Sequence, residues 1–557
     1  MAETSMGSRR LSDWLAFPML DPAAIAARCG LVSALVEAPE ARAALRGALG
    51  AVADIERIVA RVGQGSGNAR DLRALARSLA AVPRALDAVA PISPFDRRPA
   101  PDRCEALLAD IEATLVDEPP LTTTEGGLIR EGVHAELDEL VKLSLDSMSV
   151  LDQLEAEERD KTGISSLKIR KNKVFGYYIE ITTANLHKVP DRFLRKQTLS
   201  NCERYVTPEL EELEGRILGA DGRRKELEYE LFLALRERVG AQARAALALA
   251  RALAELDALA SLAEVAVRRR WCRPVVDDGR GLELVAARHP MVEAAAEDRF
   301  VPNDLVLDPQ TRRLVILTGP NMAGKSTVLR QVAIVVLLAH VGSWVPATAA
   351  RIGLCDRIFT RVGAADDLRR GQSTFMVEMA ETANILQHAS ARSLVVLDEI
   401  GRGTSTYDGL AIAWSVAEDL RDRIGCRALF ATHYHELTAL SDEATGVANL
   451  QMAVSDAGGE IVFLRRLREG GASRSYGIQC ARLAGLPAPV IARAKTLLTG
   501  FEKSDGAPKQ QLGLFGGAPP SPPSPEDRLR ERLSTVDPDV LSPRDAHALL
   551  YELRTLL

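Results

Sequence analysis

No run of apolar residues in the 557-residue sequence approaches the roughly 20 needed to cross a bilayer as a helix, and the first ten residues lack the apolar stretch of a secretory signal. The seven cysteines, at 29, 104, 202, 272, 355, 426 and 480, form no CxxC pair. These absences argue against zinc ribbons and disulfide frameworks and point to a reduced, cytoplasmic chain. An excess of positive charge is missing too: 70 Lys and Arg stand against 76 Asp and Glu, a net charge of −6. Such a balance excludes a globally basic nucleic-acid coat protein, so any DNA contact must be local. What is present is the composition of globular proteins, 46% hydrophobic and 26% charged. Single cores stop growing near about 250 to 300 residues, so several domains are expected.

Residues 8–89 show apolar positions at helical spacing in an Ala-, Leu- and Arg-rich background. A short helix is predicted over Cys104 to Leu115 and a long one over Val133 to Lys161. The pattern then changes, with β-branched and aromatic residues at 166–169 and 174–182 predicting strands. No proline occurs from Glu209 to Arg273, which predicts a lever of several tens of ångströms. Between 284 and 468 short β-branched runs (314–317, 357–360, 394–397, 428–431) alternate with helical segments, the mark of an α/β domain with a mostly parallel sheet. A helical coda is predicted over Gly485 to Leu498, then a linker dense in Gly, Pro and Ser (504–525), then a last helix opened by Ser542, Pro543 and Asp545. The fold expected is multidomain. It comprises a helical core and lever (1–160), an inserted α/β clamp (161–214), a lever helix returning to the core (215–275) and a P-loop ATPase domain of the ABC type (276–478). A helical dimerisation coda (479–503), a disordered linker (504–527) and C-terminal helices (528–557) complete it.

Gly319-Pro320-Asn321-Met322-Ala323-Gly324-Lys325-Ser326, followed by Thr327, matches GxxxxGK[ST] between a predicted strand and a predicted helix. The chemistry follows from the residue types. Glycines let backbone N–H groups close on phosphate oxygens, Lys325 neutralises the β/γ charge and Ser326 ligates magnesium. Downstream, the apolar run Leu394 to Leu397 ends in Asp398 and Glu399. Asp398 is expected to hold Mg²⁺, directly or through water, and Glu399 to orient the attacking water for ATP hydrolysis. His433, after the next strand, is placed for the γ-phosphate. A metal site of His433 and His435 lacks a third ligand at suitable spacing.

GPNMAGKST, STFMVEM, LDEIGRGTSTYDG, ATHYHEL and SYGIQCARLAGLP, in this order, resemble the ATPase of the MutS family of DNA mismatch repair proteins. The resemblance extends upstream through MGSRRLSDWL, TGISSLKIRKNKVFGYYIEIT and RKQTLSNCERYVTPEL, and covers nearly the whole chain. It implies a head that dimerises and sandwiches each ATP between subunits. Ser373 then reaches the γ-phosphate in the partner subunit, a role compatible with capping a helix. Phe300, in RFVPNDL, stacks on adenine, although a core aromatic is an equal reading of that residue alone. His433 becomes a switch histidine, and the loop 401–408 bridges the two sites.

Within the clamp, Lys168, Arg170, Lys171, Lys173, Arg192, Arg195, Lys196 and Arg204 make one module of an acidic protein basic, suited to gripping double-stranded DNA by its phosphates. Without the resemblance a solvated charged face reads as well. Glu211 departs from the family, which often has Lys there. No Phe-x-Glu, the family's mismatch wedge, occurs in the sequence, so an N-terminally truncated member without its own lesion reader is expected. Gln511, Leu512, Leu514 and Phe515, in the linker, resemble the peptide by which bacterial repair proteins dock on the sliding clamp. The last helices resemble the family's oligomerisation tail, with Asp539 and Arg544 as intersubunit partners in dimers or tetramers. A MutL-type partner and a nucleoid-associated cytoplasmic location follow from the same resemblance. The alternative, a chromosome-structural ABC ATPase of the cohesin type, carries an LSGG-type turn where this chain has RRGQSTFMVEM.

Overall fold

The computed structural model describes residues 1–172, 176–296, 299–320, 322–362, 374–457, 460–472 and 476–504, in two compact units divided between 476 and 477. The helical part of the first unit is organised around Ala243–Arg268. Its Ala and Leu side chains are buried on several faces against Ser5–Ala16, Pro22–Glu37, Pro39–Leu49 and Ile55–Gly63. Charged side chains are buried there too, Asp257 most completely. Asp257, fully buried, accepts from the backbone N–H of Glu3 (3.0 Å), the N–H of Thr4 (2.7 Å) and the Thr4 hydroxyl (2.7 Å). A Cβ on Gly7 would run into the same carboxylate. The start of the chain is therefore pinned to the central helix. Asp257→Ala is expected to cost about 2 to 4 kcal/mol, because buried donors lose their acceptor. Hydrogen-exchange mass spectrometry of the N-terminal peptide checks it through faster exchange at the amides of Glu3 and Thr4.

Two long helices, Ala135–Thr162 and Pro208–Ala241, run antiparallel: Glu136 meets Arg223 at 3.1 Å, while Leu151 shares a core with Leu213 and Ile217. The second begins where Thr207 accepts from the N–H of Leu210 and Pro208 occupies the first turn, and its 34 residues span about 50 Å. Between them the chain forms an antiparallel sheet in the order Lys168–Asn172, Gly176–Thr182, Cys202–Val206, Leu194–Thr198. Alternation gives it a buried face of Tyr177, Ile179, Ile181 and Tyr205 over the ends of the two helices.

The larger sheet has six strands: Ile358–Val362, Leu394–Asp398, Arg427–Ala431, Leu314–Thr318, Val447–Ala457 and Glu460–Glu469. Its first five are parallel neighbours and the last is antiparallel. Lys325–Val341 covers one face, and Thr374–His388 with Thr406–Asp419 the other, so the central strands read as unbroken apolar runs. A four-stranded sheet, ordered Val275–Asp277, Ala349–Gly353, Leu282–Ala287, Asn303–Leu307, adjoins it.

The second unit has two described helices, Gly477–Leu483 and Ala488–Ser504. The coda predicted from Gly485 is corrected here. Gly477–Leu483, ahead of the predicted start, is itself helical, and Gly485, at φ +89°, with Pro487 forms the break between two helices. A left-handed glycine followed by proline ends a helix rather than starting one. Among the described residues no helix is long and apolar enough to cross a membrane.

Candidate functional site

The Leu314–Thr318 strand is wholly buried and delivers the chain to Gly319, whose φ of +131° only glycine adopts readily. A Cβ there would lie 3.1 Å from that of Met452 on the neighbouring strand. Gly324 (φ +105°) ends the loop, and its carbonyl accepts from Val328 N–H to start the Lys325–Val341 helix. Lys325 is 5% exposed, and its ammonium donates to the carbonyls of Gly319 (2.5 Å) and Pro320 (3.3 Å). The loop thus curls round its lysine. Ala323 is buried and Met322, at φ +68°, is exposed, with Ser326 and Thr327 in the first turn beyond.

Parallel register brings the acids to the same edge of the sheet. Asp398 lies opposite Ala431, and Ala431 opposite Leu317, two residues before Gly319. Glu399 leaves the strand in the left-handed region (φ +63°), with its N–H bonded to the Ala431 carbonyl at 3.0 Å. Its carboxylate pairs with His433 Nε2 and, at 2.6 Å, with Arg402 Nη1. Burial pushes this carboxyl up, but His433, Arg402 and Lys325 together outweigh it and hold the group below the ordinary carboxylate range. An ionised carboxylate is thereby held beside a phosphate-type loop.

Phe300 lines a cavity of about 290 Å³ together with Met322, Gly324, Thr327, Met452 and Arg465. Sequence reasoning missed Met452 and Arg465, which come from the hairpin strands Val447–Ala457 and Glu460–Glu469. Asn303 orders that corner: its amide nitrogen donates to the Arg465 carbonyl (3.0 Å), its oxygen accepts from Leu467 N–H (2.7 Å), and Arg465 sits at φ +55°. Asn321 and Ser373 lie outside the described residues.

Comparison with known proteins decides the lineage. Residues 2–263 match MutS domain III, residues 315–502 MutS domain V, and residues 519–556 the DNA mismatch repair protein MutS C-terminal region. The chain is 52% identical over 577 residues to the DNA mismatch repair protein MutS of Anaeromyxobacter dehalogenans (strain 2CP-C), covering 98% of this chain and 65% of that protein. It is 50% identical to those of Symbiobacterium thermophilum, over 99% of this chain and 64% of the relative, and Myxococcus xanthus, over 99% and 65%. The chain belongs to the MutS family. It spans about 65% of the length of these relatives, and the cohesin-type alternative is not favoured.

The small antiparallel sheet between the two long helices carries its basic residues unequally. Lys168 and Arg170 are exposed on the outer strand Lys168–Asn172, Arg170 facing Glu180 at 3.5 Å. Lys171 lies over the Tyr177 ring at 4.9 Å. Arg195 faces Glu203 at 3.7 Å. Arg192 binds both oxygens of buried Glu158, at 2.9 and 2.6 Å, and so fastens the module to the Ala135–Thr162 helix. Arg204 stacks on Tyr178 and donates to Gln197 at 2.8 Å. Those two cations are committed to partners within the chain. Lys196 pairs with Glu211 at 3.1 Å, so the residue that departs from the family pattern engages a candidate phosphate contact directly. Lys173, Gln511, Leu512, Leu514, Phe515, Asp539 and Arg544 lie outside the described residues.

Proposed function

We propose that this chain is a DNA-clamp ATPase of mismatch repair, binding ATP at 319–327 and hydrolysing it at the edge where Lys325, Asp398, Glu399 and His433 converge. That convergence, produced by three adjacent parallel strands, is the observation that carries the reading. Ser326 and Asp398 supply hard oxygen donors suited to Mg²⁺, an ion that needs few protein ligands because phosphates and water complete its shell. Bound there, the ion would neutralise charge developing between the β- and γ-phosphates. Lys325 exchanges its loop carbonyls for phosphate oxygens. Glu399 accepts a hydrogen bond from the attacking water and orients it, with His433 steadying the carboxylate. Phe300 and the cavity beside it take the base. Steady-state hydrolysis with Mg²⁺ and ATP, with and without duplex DNA, tests the proposal; absence of any Mg²⁺-dependent turnover overturns it.

The remaining assignments belong to the same proposal. The chain acts as a homodimer in which Ser373 completes the partner's site, and its segments divide the work as core and lever, clamp, ATPase and tail. Gln511 to Phe515 docks on a sliding clamp, the C-terminal helices extend assembly through Asp539 and Arg544, and a MutL-type protein follows in the pathway. Duplex DNA is held without base readout by the clamp's phosphate contacts, Lys168 foremost. Glu211→Lys replaces an acid that neutralises Lys196 with a second cation. It is expected to steepen the slope of log affinity against log salt by about 1 to 2 and to tighten duplex binding at low salt. Fluorescence anisotropy across a salt series reads both.

A further inference from the structure

The loop beyond Glu399 is held at Gly401 from two sides. Gly401 N–H donates to Glu378 Oε1 at 2.5 Å, and its carbonyl accepts from the Tyr434 hydroxyl at 3.0 Å. Glu378 belongs to the Thr374–His388 helix and is 5% exposed. Its other oxygen faces Arg361 Nη2 at 3.6 Å, and Arg361, equally buried, also meets Glu381 at 3.0 Å. The space round Gly401 is full. A Cβ on Gly401, whose φ is +92°, would lie 2.7 Å from Gly409 Cα. One on Gly409 would run into the Gly401 carbonyl and the Tyr434 hydroxyl, and one on Gly403 would lie 2.6 Å from Phe375 Cβ. Burial and the charge of Glu378 hold the Tyr434 phenol above its ordinary pKa, so it remains a donor.

A carboxylate is expensive to bury, and here one of its oxygens serves a loop amide two residues from Glu399. Glu399 itself stands at φ +63°, a conformation that a non-glycine residue keeps only where its surroundings impose it. Its own N–H is held by the Ala431 carbonyl, and two residues on, Gly401 is held by Glu378 and Tyr434. We propose that Glu378 and Tyr434 are positioning residues of the hydrolytic site, which fix the backbone on both sides of Gly401 and through it aim the Glu399 carboxylate at His433 and the phosphate loop. The inference rests on the ATPase reading above. It assigns neither residue a contact with nucleotide.

Misplacing a catalytic group by about 1 Å costs on the order of a hundredfold in rate. Glu378→Met, which removes the acceptor, is therefore expected to lower kcat about a hundredfold, and Tyr434→Phe, which removes one donor, about tenfold. The dissociation constant of a fluorescent ATP analogue stays within about twofold of the parent in both, because the 319–327 loop is untouched. Glu378→Gln discriminates a positioning role from a structural one. Both Met and Gln discharge the partner of Arg361, which retains Glu381, but only Gln still offers Gly401 an oxygen. Recovery of most of kcat in Glu378→Gln over Glu378→Met supports the assignment; equal loss in the two overturns it. Tyr434→Phe decides the matter alone if Glu378→Met does not fold: an unchanged kcat, or a kcat loss matched by lost nucleotide affinity, overturns the proposal. Glu399→Gln run in parallel separates the levels, since turnover at the parent rate in that variant would instead remove the ATPase reading beneath it.

Discussion

Glu399→Gln is expected to keep ATP bound and to stop its hydrolysis. The carboxylate is held ionised against the cost of burial by His433, Arg402 and Lys325, and it stands one residue beyond the acid assigned to magnesium. Glutamine preserves shape and an acceptor for Arg402, so the loop keeps its course. What is lost is the negative charge that polarises water. Positioned bases contribute on the order of a hundredfold to ten-thousandfold, so kcat should fall at least about a hundredfold. ATP affinity should hold or rise slightly, because a negative charge near the triphosphate is gone while Lys325 remains. Lys325→Ala should do the opposite, weakening ATP binding itself. Rapid-quench single-turnover kinetics beside equilibrium binding distinguishes the two, and parent-rate hydrolysis by Glu399→Gln would remove that residue from the mechanism.

The phosphate loop was readable because its chemistry is contiguous: 319–326 run together between a β-branched strand and a helix, and short-range periodicity reports both. Asp398 and Glu399 were readable for the same reason, as two acids ending an apolar strand. That Glu399 meets His433 was not legible, since it depends on parallel register between Leu394–Asp398 and Arg427–Ala431. Met452 and Arg465 left no local signal; a hairpin brings them to the cavity beside Phe300 from over a hundred residues beyond the loop. Arg192 shows the converse limit. Its charge counts toward a basic module, yet whether it is free for phosphate depends on Glu158, 34 residues earlier on the Ala135–Thr162 helix. Glu378 is the same kind of case, where a strongly patterned helix conceals which of its acids turns inward to a loop.

Mixing two inactive variants is expected to restore hydrolysis, and the size of the recovery tests whether sites are shared between subunits. If Ser373 completes the partner's site, each site needs Lys325 from one chain and Ser373 from the other. A Ser373→Ala homodimer and a Lys325→Ala homodimer are then defective at both sites. In the heterodimer the two lesions fall into the same composite site, and the second site receives intact Lys325 from one subunit and intact Ser373 from its partner. Random exchange of equal amounts makes about half the dimers heterodimers with one good site of two, so turnover should return to about a quarter of the parent rate if the sites act independently. A cis arrangement predicts no recovery, because every subunit then carries its own lesion. Exchange must be followed directly, by native mass spectrometry of differently tagged chains, before rates are compared. Heterodimers that form and stay as slow as either homodimer would place Ser373 outside the partner's site and leave Lys325, Asp398 and Glu399 to act within one chain.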